Sequence, residues 1–385
     1  MVRDTNIRPE LLPERLQALP GIERLREAAG DARAYLVGGA VRDLLLGGDR
    51  TDIDIAVEGG GVDELASRLG GELTTHDRFA TAKVRLNGLE VDLAATRAES
   101  YPRPGALPEV RPAGIDEDLA RRDFTINAMA VPLSGDAKLI DLHGGLADLE
   151  RGILRIIHDR SFVDDPTRAL RAARYAARFG FELEPRTAEL LRAAELGTVS
   201  EDRLEAELLR LAAEPRARRG FELLDEWGLL TLDSGAGELI EGVTATLQRG
   251  PWKRLADPAL AVHAAATGRA PGPAGRLRDL RSSAQKLATA TPGRPSEAVE
   301  LARDRSEVEL VLARALGAEW LDRYLEEWRG VALEIGGEDL LATGVPEGPA
   351  VGRGLAAALR AKLDGEASGR DQELAVALKA ARGAG

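Results

Sequence analysis

Two aspartates separated by one residue stand in a segment, 51–57 (TDIDIAV), that alternates polar and apolar residues. At the two-residue period of a β-strand, Asp52 and Asp54 project from one face, while the isoleucines beside them point to the opposite face. Two carboxylates this close repel each other unless a cation lies between them. A hard divalent ion such as Mg²⁺ prefers oxygen ligands, so the pair predicts a metal site at one edge of a sheet.

A third carboxylate, Asp92, ends the second strand of a predicted hairpin. The hairpin joins 82–86 to 89–93 through an Asn-Gly pair, which supplies the positive φ angles of a tight turn. On the same face as the aspartate pair, Asp92 would be a third ligand. The three carboxylates suggest two-metal nucleotidyl transfer, in which one metal activates a hydroxyl and the other holds a triphosphate and stabilises departing pyrophosphate. The alternative for the Asp-Ile-Asp segment is a solvated strand edge.

A pair of glycines marks the turn between a short apolar run at 35–37 and an amphipathic segment that begins at Ala40. Gly38 and Gly39 let the backbone approach an anion closely, and the N-terminus of the following helix offers amides and the positive end of its dipole. Arg42 would add a charge-assisted contact to a phosphate. The alternative is a plain strand–turn–helix connection, but the aspartate strand nearby favours the anion site.

The elements that must position these side chains are unevenly distributed along the chain. Most strand-like segments lie in the first 135 residues, and after about Ile140 the pattern is helical, with apolar residues three and four apart. Prolines and glycines at 102–105 and 108–112 predict loops rather than regular structure. The sequence therefore predicts an α+β protein, with a small mixed α/β head followed by a long helical body.

The composition excludes several kinds of chemistry. The 385 residues include no cysteine, which rules out disulfides, thiolate metal sites and a cysteine nucleophile, and only 4 histidines, which disfavours a histidine-rich metal centre. No run approaches the ~20 apolar residues that span a bilayer, and the N-terminus lacks the apolar core of a signal peptide, so we expect a soluble cytoplasmic protein. The formal charge of -12 argues, taken alone, against a nucleic-acid partner.

Several segments resemble the motifs of one enzyme family. GGAVRD at 38–43, followed by DID at 52–54, is similar to the signature of class II tRNA nucleotidyltransferases and bacterial poly(A) polymerases, of the polymerase-β-like nucleotidyltransferase superfamily. Three later segments resemble motifs of that family in the same order: RRDFTINAMA at 121–130, DDPTRALR at 164–171 and SEDRLEAELLRL at 200–211. The stretch 336–374 also resembles the family's C-terminal tail.

The resemblance implies the domain organisation of that family. The mixed α/β head would be a palm-like sheet with helices that carries catalysis, and the rest of the chain would form an all-helical neck, body and tail. The neck would contain the nucleobase-selecting motif. The expected domains are the head at 1–145, the neck at 146–215, the body at 216–330 and the tail at 331–385.

The resemblance also implies how a nucleotide is bound. Arg122 would neutralise a phosphate, while Asp123 and Asn127 would hydrogen-bond ribose hydroxyls, as a site that selects ribonucleotides requires. Asp165 and Arg168, three residues apart and so expected on one helix face, would pair with the Watson–Crick edge of CTP or ATP. The alternatives are a solvated basic pair at 121–122 and an ion-paired helix N-terminus at 164–168.

Arginines recur at spacings of three and four residues along the helix predicted after Asp165. This basic stripe consists of Arg168, Arg171, Arg174 and Arg178. It would face the triphosphate or the RNA backbone, with Arg171 and Arg174 in the nucleotide site. The alternative is ion pairing within the same stretch of sequence, with Asp164, Asp165, Glu182 and Glu184. The family usually has glutamate where this chain has Asp164.

The function implied by the resemblance is template-independent addition of CCA, or part of it, to the tRNA 3′ end. CTP and ATP would be the substrates and Mg²⁺ the cofactor, and the RNA 3′-hydroxyl would attack the nucleotide α-phosphate. The segment 97–115 lies where the family has a flexible loop that governs the switch from C to A addition. It is not truncated, which argues against CC-only addition, and Tyr101-x-x-Pro104 is similar to loops of A-adding enzymes. We expect CCA addition, with A-only addition as the first alternative.

Three other functions agree less well with the same residues. Poly(A) polymerases share the head motifs, but this tail lacks their basic extension for RNA capture. A catalytically inactive RNA-binding protein would need a damaged metal site, whereas Asp52 and Asp54 are both present. The long helical body argues against a small-molecule nucleotidyltransferase. The sequence leaves the oligomeric state open, with a homodimer as one alternative.

The negative charge is unevenly distributed, which changes what it implies about RNA. From Lys253 to Arg294 the sequence has eight Lys or Arg against two Asp, a local charge of +6 that leaves -18 for the remainder. This segment predicts a basic surface for the tRNA backbone, with a merely charged, loop-rich face as the alternative. Net acidity therefore does not exclude an RNA partner.

Overall fold

The computed structural model describes residues 7–48, 52–76, 81–86, 89–192, 194–272 and 279–383. The chain divides into two compact units, Met1–Thr231 and Leu232–Gly385. The first unit contains the strands, and the elements in the described residues of the second are helical. The predicted α+β class, a mixed head followed by helices, is confirmed. The finer division at residues 145, 215 and 330 stays a prediction.

A seven-stranded mixed sheet forms the centre of the first unit. The strands of this unit are β1 (Ala34–Val37), β2 (Asp52–Val57), β3 (Glu72–His76), β4 (Thr81–Leu86), β5 (Leu89–Ala95), β6 (Arg97–Ser100), β7 (Glu109–Pro112), β8 (Met129–Pro132), β9 (Ile140–Asp141), β10 (Ile153–Leu154) and β11 (Glu182–Leu183). The sheet has the order β3-β4-β5-β2-β1-β8-β9. Its neighbours are antiparallel except β2 and β5, which run parallel. β4 and β5 form the predicted hairpin, whose Asn-Gly turn lies outside the described residues.

Helices surround this sheet and continue beyond it. They are α1 (Leu12–Gln17), α2 (Ile22–Ala29), α3 (Gly39–Leu45), α4 (Val62–Leu69), α5 (Ile115–Ala120), α6 (Gly145–Arg151), α7 (Ser161–Asp164), α8 (Thr167–Phe179), α9 (Pro185–Leu191), α10 (Glu201–Ala212) and α11 (Ala217–Glu226). Ile53 and Ile55 of β2 are 2% and 1% exposed, as the alternation predicts. On the face that Asp54 shares, Ile115 and Leu119 of α5 pack against the sheet and leave the part around the carboxylate open.

One expected loop contains regular structure. β6 and β7 form a separate antiparallel ribbon in which Arg97 lies opposite Pro112 and Ser100 opposite Glu109. The prediction of a loop at 108–112 is therefore wrong, since 109–112 form a strand. Residues 102–105 have the predicted turn structure. Proline lacks an N–H to donate, but a two-stranded ribbon has only edge strands, where that loss is tolerated.

Helices α8, α10 and α11 pack against one another beyond the sheet. The arrangement is not purely helical, because β10 and β11 form a parallel pair of two residues each beside α8. Gly180 ends α8 with a φ of 72°, the left-handed conformation that glycine adopts without steric cost.

The second unit is a set of short helices. They span Ala236–Thr246, Pro258–Thr267, Leu280–Ala288, Pro295–Ala302, Glu307–Ala315, Trp320–Arg323, Gly337–Ala342, Pro349–Leu363 and Arg370–Arg382. Near its C-terminus, Glu373 is fully buried and forms a 2.6 Å ion pair with Lys362. Within the basic segment at 253–294, Arg281 is bound by Asp233 at 3.0 Å, while residues 273–278 lie outside the description. No helix among the described residues is long and apolar enough to cross a membrane.

Candidate active site

The parallel pairing of β2 and β5 sets two carboxylates side by side. Asp54 lies opposite Asp92 in the register, and adjacent residues of paired strands point to the same face. Both side chains line one cavity of about 570 Å³. The backbone of Asp52 lies in β2, opposite Glu90, and its side chain is outside the description. The placement of Asp92 is as the sequence predicts, and its role as a metal ligand stays a prediction.

These carboxylates lie on the face of two central strands and not at the sheet edge that the sequence predicted, and the donors there suit a hard divalent cation. Lys83 of β4 places Nζ 3.4 Å from Asp92 and 3.3 Å from Glu90, so one positive charge is shared by two carboxylates and leaves negative charge for a cation to neutralise. The hydrogen bond with Glu90 and the charge of Asp92 raise the pKa of Lys83. Among the described side chains, no three acidic or histidine residues converge on one point. Asp54 and Asp92 therefore fit a metal site that Asp52 would complete.

The glycine turn is shaped to admit an arginine. Gly38 has a φ of 66°, and a Cβ atom there would lie 2.5 Å from Nη1 of Arg122. The Gly38 amide donates to the Met129 carbonyl oxygen at 3.1 Å, which anchors the turn on β8. Arg122 in turn donates to Asp118 at 2.9 Å. The turn and the predicted phosphate ligand Arg122 are therefore positioned by one another.

A chain of buried polar contacts runs through the segment 122–127. Arg42 donates to Asp43 at 2.8 Å and also to the side-chain oxygen of Asn127. Asn127 donates to Asp123 at 3.0 Å, and Arg171 binds the other oxygen of Asp123 through Nε at 2.7 Å and Nη2 at 2.5 Å. The chain links α3, the short helical turn Thr125–Asn127 and α8.

These contacts refine the roles expected for three residues. Arg42 is 2% exposed and lies over the rings of Tyr175 and Phe179, at 5.4 Å and 4.7 Å from their centroids. Both oxygens of Asp123 accept hydrogen bonds from protein groups. Arg42, Asp123 and Asn127 line the largest arginine-rich cavity of the described first unit, and their contacts with one another also make them part of the buried structure that supports it.

The electrostatics at Asp123 follow from this pairing. Burial alone would raise the pKa of Asp123, but the positive charge of Arg171 and the hydrogen bonds from Asn127 and Arg171 lower it to about 2. The carboxylate is therefore ionised throughout the physiological range. An ionised carboxylate in this position requires its partners, because a buried charge without them is costly.

The expectation that Asp165 and Arg168 share one face of a helix is wrong, because Asp165 lies outside the helix. Asp165 precedes α8 in extended conformation, with φ -135° and ψ 90°, because the residue before a proline is excluded from helical conformation. Its carboxylate accepts hydrogen bonds from the Thr167 amide at 3.1 Å and from Arg203 at 2.9 Å. Arg168, in the first turn of α8, donates to Ser161 and to the Arg121 carbonyl, each at 2.7 Å. The structure nevertheless brings Asp165 and Arg168 to the same cavity.

The basic stripe of α8 pairs across helices rather than within its own stretch of sequence. Arg171 binds Asp123, and both Arg174 and Arg178 bind Glu214, at 3.3 Å and 3.6 Å. The carboxylates expected as partners are bound elsewhere, since Asp164 pairs with Arg160, Asp165 with Arg203 and Glu184 with Arg155. Local pairing was therefore the wrong alternative for these residues.

Several positioning residues were not singled out from the sequence. Asp118 is 1% exposed and binds both Arg121 and Arg122, and its spacing of three and four residues from them was a signal that could have found it. Arg203 donates to the Gly105 carbonyl at 2.8 Å as well as to Asp165, so it joins the ribbon tip to the predicted base-reading residue. No local pattern links residues this far apart in sequence.

A second group of residues that was not singled out from the sequence contacts the segment 122–127 through Thr125. Asp148 accepts a hydrogen bond from Thr125 at 2.7 Å and pairs with Arg155 at 3.0 Å. A Cβ atom on Gly145 would lie 2.2 Å from the Thr125 carbonyl oxygen, so α6 begins in direct backbone contact with the segment 122–127.

The cavity enclosed by these elements measures about 680 Å³, within the range of small-molecule sites. Its walls carry nine arginines (Arg42, Arg121, Arg122, Arg168, Arg171, Arg174, Arg178, Arg203 and Arg210) and five carboxylates (Asp54, Glu99, Asp123, Asp165 and Glu207). The arginines exceed the carboxylates of the lining by four charges, and three further carboxylates outside it (Asp43, Asp118 and Glu214) bind arginines of the lining. This arrangement suits a polyanion such as a nucleoside triphosphate. Asp54 also lines the carboxylate cavity, so the two cavities meet at that residue.

The mixed sheet with its paired carboxylates and the arginine-lined cavity are those of a nucleotidyltransferase head, and comparison with known proteins agrees. Residues 34–155 match the family model described as poly A polymerase head domain. Residues 180–232 match the model described as probable RNA and SrmB- binding site of polymerase A.

Known relatives extend the similarity over most of the chain. A CC-adding tRNA nucleotidyltransferase of Deinococcus radiodurans is 37% identical, over 93% of this chain and 92% of its own. An A-adding tRNA nucleotidyltransferase of Geobacter sulfurreducens is 32% identical over 90% of this chain and 45% of its own. A solved CCA-adding enzyme in its apo form has a TM-score of 0.77 and 30% identity, over 97% of this chain and 98% of its own.

The chain belongs to the family of tRNA nucleotidyltransferases and poly(A) polymerases, which confirms the resemblance seen in the sequence. Members of this family are enzymes. The chain spans only 45% of the Geobacter relative and 26% of an A-adding relative from Aquifex aeolicus, which is 43% identical over 219 residues.

Gly38→Ala should displace the guanidinium of Arg122, because the new methyl group would lie 2.5 Å from Nη1. We expect the KM for CTP to rise roughly tenfold or more, with backbone strain of about 1–3 kcal/mol at the positive φ. The control is Gly228→Ala, where φ is 71° and nothing lies within 4 Å of the added atom. Steady-state kinetics of both variants check this, and an unchanged KM in Gly38→Ala would contradict it.

Asp123→Asn should lower the free energy of unfolding by about 2 kcal/mol at pH 7, since it removes the buried charge that Arg171 binds, while Arg171 itself is 30% exposed and keeps a contact with Glu207. The pKa of Asp123 is lowered to about 2 from 3.8, so its ionisation contributes about 2 kcal/mol above pH 4, which is lost as the pH falls to 2. The difference between wild type and variant should therefore narrow below pH 4. Urea unfolding at several pH values measures it, with the exposed Asp31→Asn as control. A difference independent of pH would refute the ion-pair explanation.

Proposed function

We propose that this chain is a template-independent tRNA nucleotidyltransferase that adds CCA, or part of it, to the 3′ end of tRNA from CTP and ATP. The RNA 3′-hydroxyl forms a bond to the nucleotide α-phosphate, and the bond to pyrophosphate breaks. One observation carries the proposal: a pair of carboxylates on the sheet face, Asp54 and Asp92, lies where an arginine-lined cavity that also contains Asp165 and Arg168 begins.

The arginines account for triphosphate binding. Arg122 lies beside the glycine turn, and Arg171 and Arg174 extend along α8 from it. Their spacing and partners hold the guanidinium planes in place before a nucleotide arrives, which reduces the entropy lost on binding. Mg²⁺ held by Asp54, Asp92 and Asp52 would supply the charge that activates the hydroxyl and stabilises pyrophosphate.

Base selection rests on Asp165 and Arg168. A carboxylate oxygen can accept from the exocyclic amino group that C and A both carry, and a guanidinium can donate to a ring nitrogen or carbonyl. Arg203 and Thr167 hold Asp165, and Ser161 and the Arg121 carbonyl hold Arg168. Side chains held by the protein in this way can read bases without a nucleic-acid template.

The ribbon formed by β6 and β7 is placed to influence that selection. Glu99 and Tyr101 line the arginine-rich cavity. The tip of the ribbon, between Ser100 and Glu109, includes Gly105, which has a φ of 68° and packs on Thr198 in the segment before α10. The Gly105 amide donates to Val163 at 3.3 Å, and Arg203 connects the Gly105 carbonyl to Asp165. A shift of the tip would therefore move a group that holds the base-reading carboxylate.

The terminal specificity has two candidates beside full CCA addition. The A-adding relatives and the intact ribbon support A-only addition. The Deinococcus radiodurans relative, which matches this chain over 92% of its own length, is named a CC-adding enzyme and supports CC addition as a second candidate. A homodimer, a cytoplasmic location, Mg²⁺ as the particular cation and the boundaries at 145, 215 and 330 stay predictions.

Incubation with CTP, ATP and Mg²⁺ should extend tRNA transcripts that end before CCA, after C and after CC. Extension of only the CC-ended transcript would show A addition, arrest after two residues would show CC addition, and long A tracts would show a poly(A) polymerase. Asp54→Ala should reduce incorporation more than ~1000-fold, because a ligand of the catalytic ion is lost. The exposed Asp31→Ala is the control. Failure of wild type to extend any transcript would reject the proposed function.

Gly105→Ala should change the ratio of A to C incorporation by several-fold. The added methyl group would lie 2.6 Å from the Thr198 carbonyl oxygen, and backbone cannot move aside as a side-chain tip can, so the ribbon tip must lift away. Gly135→Ala, with a φ of 76° and open space around it, is the matched control. Initial rates with CTP and ATP on the same transcript measure the ratio. Equal ratios in wild type and Gly105→Ala would contradict a role for tip docking.

A further inference from the structure

We propose that Lys83 is a built-in counter-ion of the carboxylate pair, which competes with a divalent cation for Asp92 and keeps the affinity of the site for a free metal ion low. The proposal rests on the proposed function, because it concerns the metal site of that reaction. In this role Lys83 sets how strongly the carboxylates bind a cation, and it takes no part in the bond-forming step.

Lys83 lies in one row with the two carboxylates, across three neighbouring strands. Lys83 of β4 is paired with Asp92 of β5, and Asp92 is paired in turn with Asp54 of β2. Residues directly opposite one another in paired strands point to the same face, with Cβ atoms roughly 5 Å apart. The pairing of the strands therefore keeps the lysine beside the carboxylates.

A second carboxylate anchors the lysine in this position. Nζ of Lys83 lies 3.3 Å from Oε2 of Glu90 and 3.4 Å from Oδ1 of Asp92. The other oxygen of Glu90 accepts a hydrogen bond from Nε of Arg85 at 2.5 Å, which holds Glu90 in place. Lys83 can therefore leave Asp92 and keep its ion pair with Glu90, so the two carboxylates give the ammonium group two positions.

The ion pair between Lys83 and Asp92 is open to water. Their side chains are 41% and 48% exposed. Two other cations of the same cavity, Arg121 and Arg122, both bind the buried Asp118 instead. An exposed ion pair contributes little stability, whereas a divalent cation binds carboxylate oxygens directly. A divalent cation is therefore able to displace the lysine from Asp92.

The effect of the lysine on metal affinity follows from the charges. A divalent cation lies roughly 2.0–2.6 Å from its oxygen ligands, so a cation on Asp92 would be about 5 Å from Nζ of Lys83. At about 5 Å in a water-like dielectric, the repulsion between charges of +1 and +2 lowers affinity roughly tenfold. Movement of Lys83 towards Glu90 relieves part of the repulsion but gives up the contact with Asp92. In both cases, removal of the lysine charge raises the affinity for the metal.

The same charge stabilises the strands that carry the site. Asp54 and Asp92 lie directly opposite one another, and Glu90 stands two residues before Asp92, on the same face of β5. Like charges that lie opposite one another in paired strands are destabilising. Lys83 offsets this repulsion from within the protein. The lysine therefore lowers metal affinity and, in return, lets the sheet hold its carboxylates together without a metal ion.

The principal test is the binding of Mn²⁺ alone, without nucleotide or RNA, followed by the EPR signal of the free ion. Lys83→Met keeps the aliphatic stem and removes the charge, and we expect its Kd to be roughly tenfold lower than that of wild type. Lys83→Arg keeps the charge and should bind as weakly as wild type. The matched control is Lys138→Met, at an exposed lysine in the loop before β9. Asp92→Asn added to Lys83→Met should cancel the gain, which places the ion on that carboxylate.

Thermal unfolding in EDTA is the second measurement. Lys83→Met should unfold at a lower temperature than wild type, because the carboxylates repel one another, and Mn²⁺ should raise its midpoint by more than it raises that of wild type. Lys138→Met should show neither change. If Lys83→Met does not fold, Lys83→Gln decides in its place, since its amide can still donate to Glu90.

The contrary outcomes are distinct. An unchanged or higher Kd for Mn²⁺ in Lys83→Met would overturn the proposal, because the lysine would then not compete with the cation. Failure of that variant to bind Mn²⁺ at all would overturn it as well. Binding is measured without turnover, so a chain that shows the expected change in Kd but extends no transcript would disprove the proposed activity and leave the role of Lys83 intact.

Discussion

The ion pair between Asp123 and Arg171 is the contact on which the nucleotide site depends. A fully buried carboxylate is stable as an anion only while its partners surround it, and those partners come from separate elements: Arg171 from α8 and Asn127 from the turn after α5. Asn127 passes the constraint to Arg42 in α3. The charge of Asp123 therefore connects α3, which packs on the sheet, to α8, the helix that carries the predicted base-reading residue Arg168.

The acidic residues of the first unit divide into two kinds by their surroundings. Asp118 and Asp123 are buried and bound by arginines, so they act as fixed anchors for cationic groups. Asp54 and Asp92 lie on an open part of one face of the sheet, on two central strands, where Lys83 forms an ion pair with Asp92. Aspartate thus has a structural role where it is buried and paired with arginine, and it suits cation binding where it remains open to solvent, because burial penalises the charged form.

The arrangement also explains how an acidic chain can bind a polyanion. The formal charge of -12 describes the whole molecule, whereas a phosphate responds mainly to charges within about one Debye length, roughly 8–10 Å. Around the cavity, carboxylates such as Glu207 lie beneath arginines that face outward. The lining of the cavity therefore carries more arginines than carboxylates although the protein as a whole is acidic. Added salt should lower the affinity of exposed, nonspecific charge contacts far more than that of partly buried contacts inside a cavity.

The sequence by itself determined the local features. The alternation at 52–57, the glycine turn and the hairpin all depend on residues that are neighbours in the chain, and strand and turn geometry follow from those neighbours. It also predicted the α+β class and which segments supply the site. Asp165 was the local exception, since Pro166 removes it from the helix in which its spacing had placed it. Only the tertiary structure decided the partners: Glu214 for Arg174, Asp123 for Arg171, and Arg203 as the link between Gly105 and Asp165. Those pairs join residues through packing between separate elements, and a charge carries no mark in the sequence of which distant opposite charge it will meet.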